Sequence, residues 1–272
     1  MGLCFVLRSE DERVSPAHLS AIAAAIRLDQ ETFAAAYNLS PSNVLTDGLA
    51  QEVPKDAILV RIVDASKMDV PNAEAYHSID DQGRPYVLVG TFALDNGGGV
   101  IDGGPTGGTD SVSIAIDHEI KETEADRGVN LWADRFDGLT EVAWEPVDPF
   151  QGGHYTTAGV WLADYALPAW FDPSSPAGAK LNALGDAVKP LVLGVGGYQV
   201  LRHVSVDTST EWGKHKAACL SAGKPAPSHE GAWVDFHDAV PAWKREAIKR
   251  RVSHRLHRHE QARRRYLAAK AS

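Results

Sequence analysis

Apolar positions along the chain recur with two periods, and these divide it into elements. In residues 15–37, SPAHLSAIAAAIRLDQETFAAAY, the side chains Leu19, Ile22, Ala23, Ile26 and Phe33 fall near one face at helical spacing. Ser15 supplies an N-cap and Pro16 a first helical residue. AILVRIVDA (57–65) and RPYVLVGTFAL (84–94) are short apolar runs that predict buried strands, the second preceded by the turn signal DDQG. Residues 95–110, DNGGGVIDGGPTGGTD, are too rich in glycine for a regular element and predict a mobile surface loop, either a connector or a flap beside whatever follows.

Residues 110–126 fit two patterns. Val112, Ile114 and Ile116 alternate as in a strand, but Val112, Ala115, Ile116, Ile120 and Thr123 cover one helical face more completely. Asp110 or Ser111 can cap that helix and Gly128 can end it. His118, Glu122 and Asp126 then line the opposite side, with Glu119 adjacent. Beyond it, 141–176 is dense in Trp, Tyr, Pro and Gly and predicts short strands and turns around an aromatic core. KPLVLGVGGYQVLRHVSV (189–206) reads as a hairpin turning at 194–197, 207–242 as a polar connector, and 243–272 as one basic helix.

Composition adds bounds. Hydrophobic residues make up 44% and charged residues 23%, ordinary for a globular protein, and the longest apolar runs are too short and broken to span a membrane. The start, MGLCFVLRSEDERV, lacks the basic head and long apolar stretch of a secretory signal, and Val6 stands where a myristoylation signal needs Ser or Thr. Cys4 and Cys219 are too few for a disulfide framework or a cysteine-based zinc site, which fits a reducing compartment such as the cytoplasm. The net charge of −9 is uneven: residues 243–272 carry eleven Lys or Arg against two Glu, leaving −18 on the rest. That tail, with Trp243, Ala247, Ile248, Val252 and Leu256 as a narrow apolar stripe, suits the chain's own acidic body, a neighbouring protein or non-specific nucleic acid. Its three histidines, His254, His257 and His259, are read as sharing the helix surface.

The chemistry concentrates in His118-Glu119-Ile120-Lys121-Glu122. Residues four apart on a helix are neighbours, so His118 and Glu122 can grip one ion. Zinc accepts imidazole and carboxylate ligands, and Glu119 stands where the general base of an HExxH peptidase stands. A third ligand must come from elsewhere. Glu141 lies at a gluzincin-like separation, with Glu145 and Asp148 in the same segment. Asp126, about 12 Å along the helix axis from His118, suits an orienting or loop-capping role. His77 and His154 sit beside turns and can approach. Replacing a second histidine by glutamate makes the ion a weaker Lewis acid and widens its tolerance toward Mn²⁺ or Ca²⁺. The competing reading is an acidic, solvated helix face that contains a histidine.

The stretches LDQETFAAAY (28–37), AYHSIDDQGRPYVLVG (75–90), SVSIAIDHEIKETEADRGVNLW (111–132), EVAWEPVDPFQGGHY (141–155), DYALPAWFDP (164–173) and GGYQVLR (196–202) resemble, in order, a group of uncharacterised bacteriophage and actinobacterial HExxE proteins. That resemblance implies an α+β fold, a zincin-like core over 1–206 with an active-site helix and a small mixed sheet, to which the basic helix read at 243–272 is added. It implies a zinc-dependent, metallopeptidase-like hydrolase acting on a peptide or protein, with His118, Glu122 and Glu141 as ligands and Glu119 as base. Asp126 and His77 carry over as supporting positions. The chain departs from the group's pattern at Arg127, in place of Pro, and at Trp144, an insertion, which leaves the downstream ligand open between Glu141 and Glu145. The alternative is a phage structural or interaction protein, in the host cell or the virion, that keeps such a core around a structural or vestigial metal.

Overall fold

The computed structural model describes residues 2–47, 54–69, 74–80, 83–127, 131–134, 140–204 and 231–236. Its centre is a five-stranded mixed sheet in the order β2-β1-β3-β5-β4. Strands β1 (Cys4–Ser9), β2 (Asn43–Thr46), β3 (Ile58–Val63) and β5 (Pro85–Gly90) run parallel, and β4 (Ala75–Ile79) pairs antiparallel with β5. Phe5, Val6 and Leu7 are buried in succession, as expected of an inner parallel strand covered on both faces. The acidic stretch after β1 is tied down by Arg13, whose guanidinium donates to Asp11, Asp95, Asp64 and the Thr91 hydroxyl.

Helix α1 (Pro16–Tyr37) starts where the sequence places it. The Ser15 hydroxyl accepts from the His18 amide, Pro16 leads, and Asn38 closes the helix in the left-handed region at φ 54°. Helix α3 (Val112–Ala125) is capped by Ser111, follows the short α2 (Phe92–Asp95), and ends at Asp126 rather than at Gly128. Leu19, Ile22 and Ile26 of α1 and Val112, Ile116 and Ile120 of α3 form one core with Phe5, Leu7, Val60, Ile62, Val87 and Val89 of the sheet. Each fully buried aliphatic side chain there contributes about 1.5–3 kcal/mol. The hairpin β8 (His154–Thr157) and β9 (Val160–Ala163) packs on both helices, adding Val160 and Leu162 to that core.

The solvated-face reading of 110–126 does not hold. Every residue of α3 except Ala115 is buried, charged ones included. The 95–110 loop is at the surface but folds tightly on itself. A Cβ on Gly103 would lie 2.3 Å from the Gly108 carbonyl oxygen and 2.6 Å from the Trp161 ring, and Gly104 takes φ +65°. Glycine is required there for close backbone approach.

A second sheet, β11-β10-β7-β6, is antiparallel throughout and holds β6 (Trp132–Asp134), β7 (Thr140–Ala143), β10 (Val200–Val204) and β11 (Gly231–Phe236). The aromatic reading of 141–176 holds: Trp144 stacks on Phe171 at 4.3 Å, and Trp170, fully buried, meets Phe171 edge-on. The predicted hairpin at 189–206 does not form. Residues 189–199 make turns against 149–152, and β10 pairs with β7 and β11 instead. Residues 231–236, inside the stretch read as a polar connector, form β11; the rest of 207–242 and the 243–272 helix lie outside the described residues. The α+β expectation with a mixed sheet holds. Among the described residues no helix is long and apolar enough to cross a membrane.

Candidate metal centre

Three pieces of chain converge on the middle turns of α3. The helix contributes His118, Glu119 and Glu122, buried to 7%, 2% and 0% exposure. The pleat of β4 contributes His77. It pairs across the ladder with Val87, which faces the helix-side core, whereas its neighbour Tyr76 pairs with Leu88 and packs on the opposite face. Side chains alternate along a strand, so a slip of one residue would turn His77 away. The segment after β7 contributes Glu145 and, on a one-turn 3₁₀ helix (Asp148–Phe150), Asp148. The Asp148 amide donates to Glu122 Oε1 at 3.2 Å, which anchors that turn to α3.

His118 Nε2 lies 3.2 Å from Glu122 Oε1 and 3.2 Å from Asp148 Oδ1, with Glu119 Oε1 at 3.8 Å. His77 Nδ1 lies 2.9 Å from Glu119 Oε2 and 3.5 Å from Glu122 Oε2, and its Nε2 faces Glu145 Oε2 at 3.7 Å. Two sets can each hold one ion: His118, Glu122 and Asp148, and His77, Glu119 and Glu122. A tetrahedral ion with bonds of 2.0–2.1 Å separates its ligand atoms by ~3.3 Å, so the spacing around His118 fits a divalent metal. Imidazole with carboxylates suits zinc and manganese alike.

Carboxylates this concentrated stand in a protein interior when protons or cations offset them. With protons as the counter-charge, burial disfavours the His118 imidazolium, but Glu122 and Glu119, with hydrogen bonds to Asp148 and Glu122, raise its pKa to about 10. Burial likewise opposes ionisation of Glu122. The His118 charge outweighs it, and Glu122 ends below the usual carboxylate value. A metal ion held by the same nitrogen and oxygens would take the place of that proton.

The structure brings His118, Glu119 and Glu122 together as the motif predicts, and adds His77. Glu141 is buried on β7 but belongs to neither three-residue set; Asp148, which the sequence offers as one carboxylate among several, completes the His118 set. Asp126 accepts the Leu131 amide at 2.9 Å, the loop-capping role. His154 stacks on Trp161 at 4.2 Å and belongs to neither set. The sequence carries one signal for Asp148: it precedes Pro149, and a proline within the first turn favours the start of a short helix.

Behind the centre, the other face of α3 carries a buried ion network. Lys121, with no exposure, pairs with Asp117 one turn earlier and with Asp29 of α1 at 3.0 Å, and donates to the Tyr155 hydroxyl and the Ala163 carbonyl. Compared with known families, curated proteins and solved structures, the chain matches none.

Proposed function

We propose that the chain is a metal-dependent hydrolase of peptide or amide bonds, with the ion held by His118, Glu122 and Asp148. The observation that carries this reading is that His118 Nε2 lies 3.2 Å from both Glu122 Oε1 and Asp148 Oδ1, with the Glu119 carboxylate beside them. A divalent ion there supplies Lewis acidity and brings the pKa of a bound water from ~15.7 to roughly 7. Glu119 takes the proton of the attacking water and passes it to the leaving nitrogen. His77 fixes Glu119 from the far side at 2.9 Å, which turns its other oxygen toward the His118 side. The substrate class is supported by β4: it is one of the two edge strands of the central sheet among the described residues, the one that carries His77, and an extended peptide can pair with such an edge.

The test is metal analysis of purified wild type and Glu119→Gln, with hydrolysis of a mixed fluorogenic peptide library as the second readout. Wild type is expected to hold stoichiometric metal and cleave. Glu119→Gln is expected to keep the ion held by His118, Glu122 and Asp148 and lose about 10²–10⁴-fold in rate. Wild type without metal, or a variant of undiminished rate, overturns the proposal.

A second reading is favoured by burial. Glu122, Asp148, Glu119 and Glu145 are each 3% exposed or less, as in a centre that clips α3 to β4 and to the segment after β7. In that reading metal removal lowers the melting temperature and no peptide is cleaved.

A further inference from the structure

We infer that this centre has a second metal position, made by His77 Nδ1, Glu119 Oε2 and Glu122 Oε2, so that Glu122 bridges two ions. The inference rests on the metal reading of the His118 set and adds a site to it. Glu122 presents different oxygens to the two sides: Oε1 lies 3.2 Å from His118 Nε2, and Oε2 lies 3.5 Å from His77 Nδ1. The separations around His77 Nδ1, 2.9 and 3.5 Å, bracket the ~3.3 Å edge of a four-coordinate ion.

A second observation points to a cation independently. His77 is 1% exposed, and its Nε2 has no hydrogen-bond partner, though it is turned toward Glu145 Oε2 at 3.7 Å. A neutral imidazole carries one proton. If that proton is on Nδ1, the Nε2 lone pair is buried facing a carboxylate. If it is on Nε2, the Nδ1 lone pair faces Glu119 Oε2 at 2.9 Å. Either tautomer sets a lone pair against negative oxygen. An ion on Nδ1 removes the conflict and leaves the Nε2 proton pointing at Glu145, the arrangement by which metal-bound histidines are usually oriented. Glu119 uses Oε2 in this position, and its Oε1 stays on the His118 side.

The alternative is an imidazolium at His77 and a single ion at His118. The experiment uses the full-length chain with His254, His257 and His259 changed to Ala, so that the tail histidines do not bind metal. Metal-free protein is titrated with Zn²⁺ and with Mn²⁺, bound metal is counted by native mass spectrometry, and Mn²⁺ coupling is read by electron paramagnetic resonance. Two ions per chain are expected, with an exchange-coupled manganese spectrum. His77→Ala is expected to bind one. Because that variant leaves carboxylates without their partner and can misfold, Glu119→Gln, which keeps the shape, is the second test and is also expected to bind one. One ion in the parent protein overturns the inference and leaves the proposed function standing. No ion overturns both. Two ions that persist in both variants, or a spectrum of isolated Mn²⁺, overturn the shared site.

Discussion

Lys121 Nζ on α3 lies 3.0 Å from Asp29 Oδ2 on α1, an ion pair whose side chains are 0% and 8% exposed. The same ammonium meets Asp117 and lies over the Tyr155 and Tyr165 rings at 5.1 and 4.9 Å. This pair explains how a helix with so many charges sits inside the protein. One face is satisfied by α1 and β9, and the other is given to the centre.

Removing one member of such a network leaves buried charge uncompensated. Lys121→Met is expected to destabilise the fold by about 3–5 kcal/mol in urea unfolding. Its metal content is expected to stay at the wild-type level, because Lys121 pairs with Asp117 and Asp29, which belong to neither three-residue set. Adding Asp29→Asn and Asp117→Asn is expected to recover most of the lost stability, since a network replaced as a unit leaves no orphan charge. A milder effect of Lys121→Met than of the changes in its partners would assign the network's weight elsewhere.

Asp148 and Glu141 separate the geometry from the sequence spacing. Asp148→Asn is expected to weaken divalent-metal affinity by at least the roughly 10–100-fold seen for outer-shell partners, and Glu141→Gln by less. Competition against a chelator of known affinity reads both. The reverse order would restore Glu141 as the third ligand.

Asp11 gives a pH signature away from the centre. The Arg13 guanidinium, against the opposing effect of burial, and the Arg13 amide and Thr91 hydroxyl hold its pKa down to about 2. A carboxylate with a depressed folded-state pKa stabilises above its unfolded value, ~3.9, and loses that contribution as pH falls through the folded value. Wild type is therefore expected to exceed Asp11→Asn in urea midpoint by a constant gap above about pH 5, narrowing between about pH 4 and pH 2. A gap independent of pH would mean that the charge of Asp11 is not what matters.

The glycine loop is expected to be intolerant where backbone meets backbone. Gly103→Ala places a Cβ against the Gly108 carbonyl and the Trp161 ring, and overpacking of that kind costs about 1–3 kcal/mol. In a chain of this size each kcal/mol lowers the melting temperature by roughly 2–4 °C. A shift below 2 °C in scanning calorimetry would show that the loop yields.

Much of the frame was legible locally. Ser15-Pro16 and the apolar spacing after them place α1, and VSIAIDHEIKETEA carries both a helical apolar face and the His118/Glu122 pair, because side chains four apart meet whatever surrounds them. Strand β1 was not legible. Phe5-Val6-Leu7 is a short apolar run at the chain start, and three such residues do not separate a buried strand from a nascent helix. The hairpin expected at 189–206 failed for a related reason: Gly194, Gly196 and Gly197 mark a turn, but which strand β10 pairs with depends on β7 and β11, which are distant in sequence.

By itself the sequence determined α1 and α3, where each begins and the motif on one helical turn, since those depend on contacts within a few residues. The tertiary structure decided the rest of the centre. The register of β4 turns His77 inward, and the Asp148 amide bonded to Glu122 brings Asp148 beside His118. The Lys121 pair lets a charged helix be buried. Register, burial and the partner of a buried charge are properties of segments far apart in the chain, and no local period encodes them.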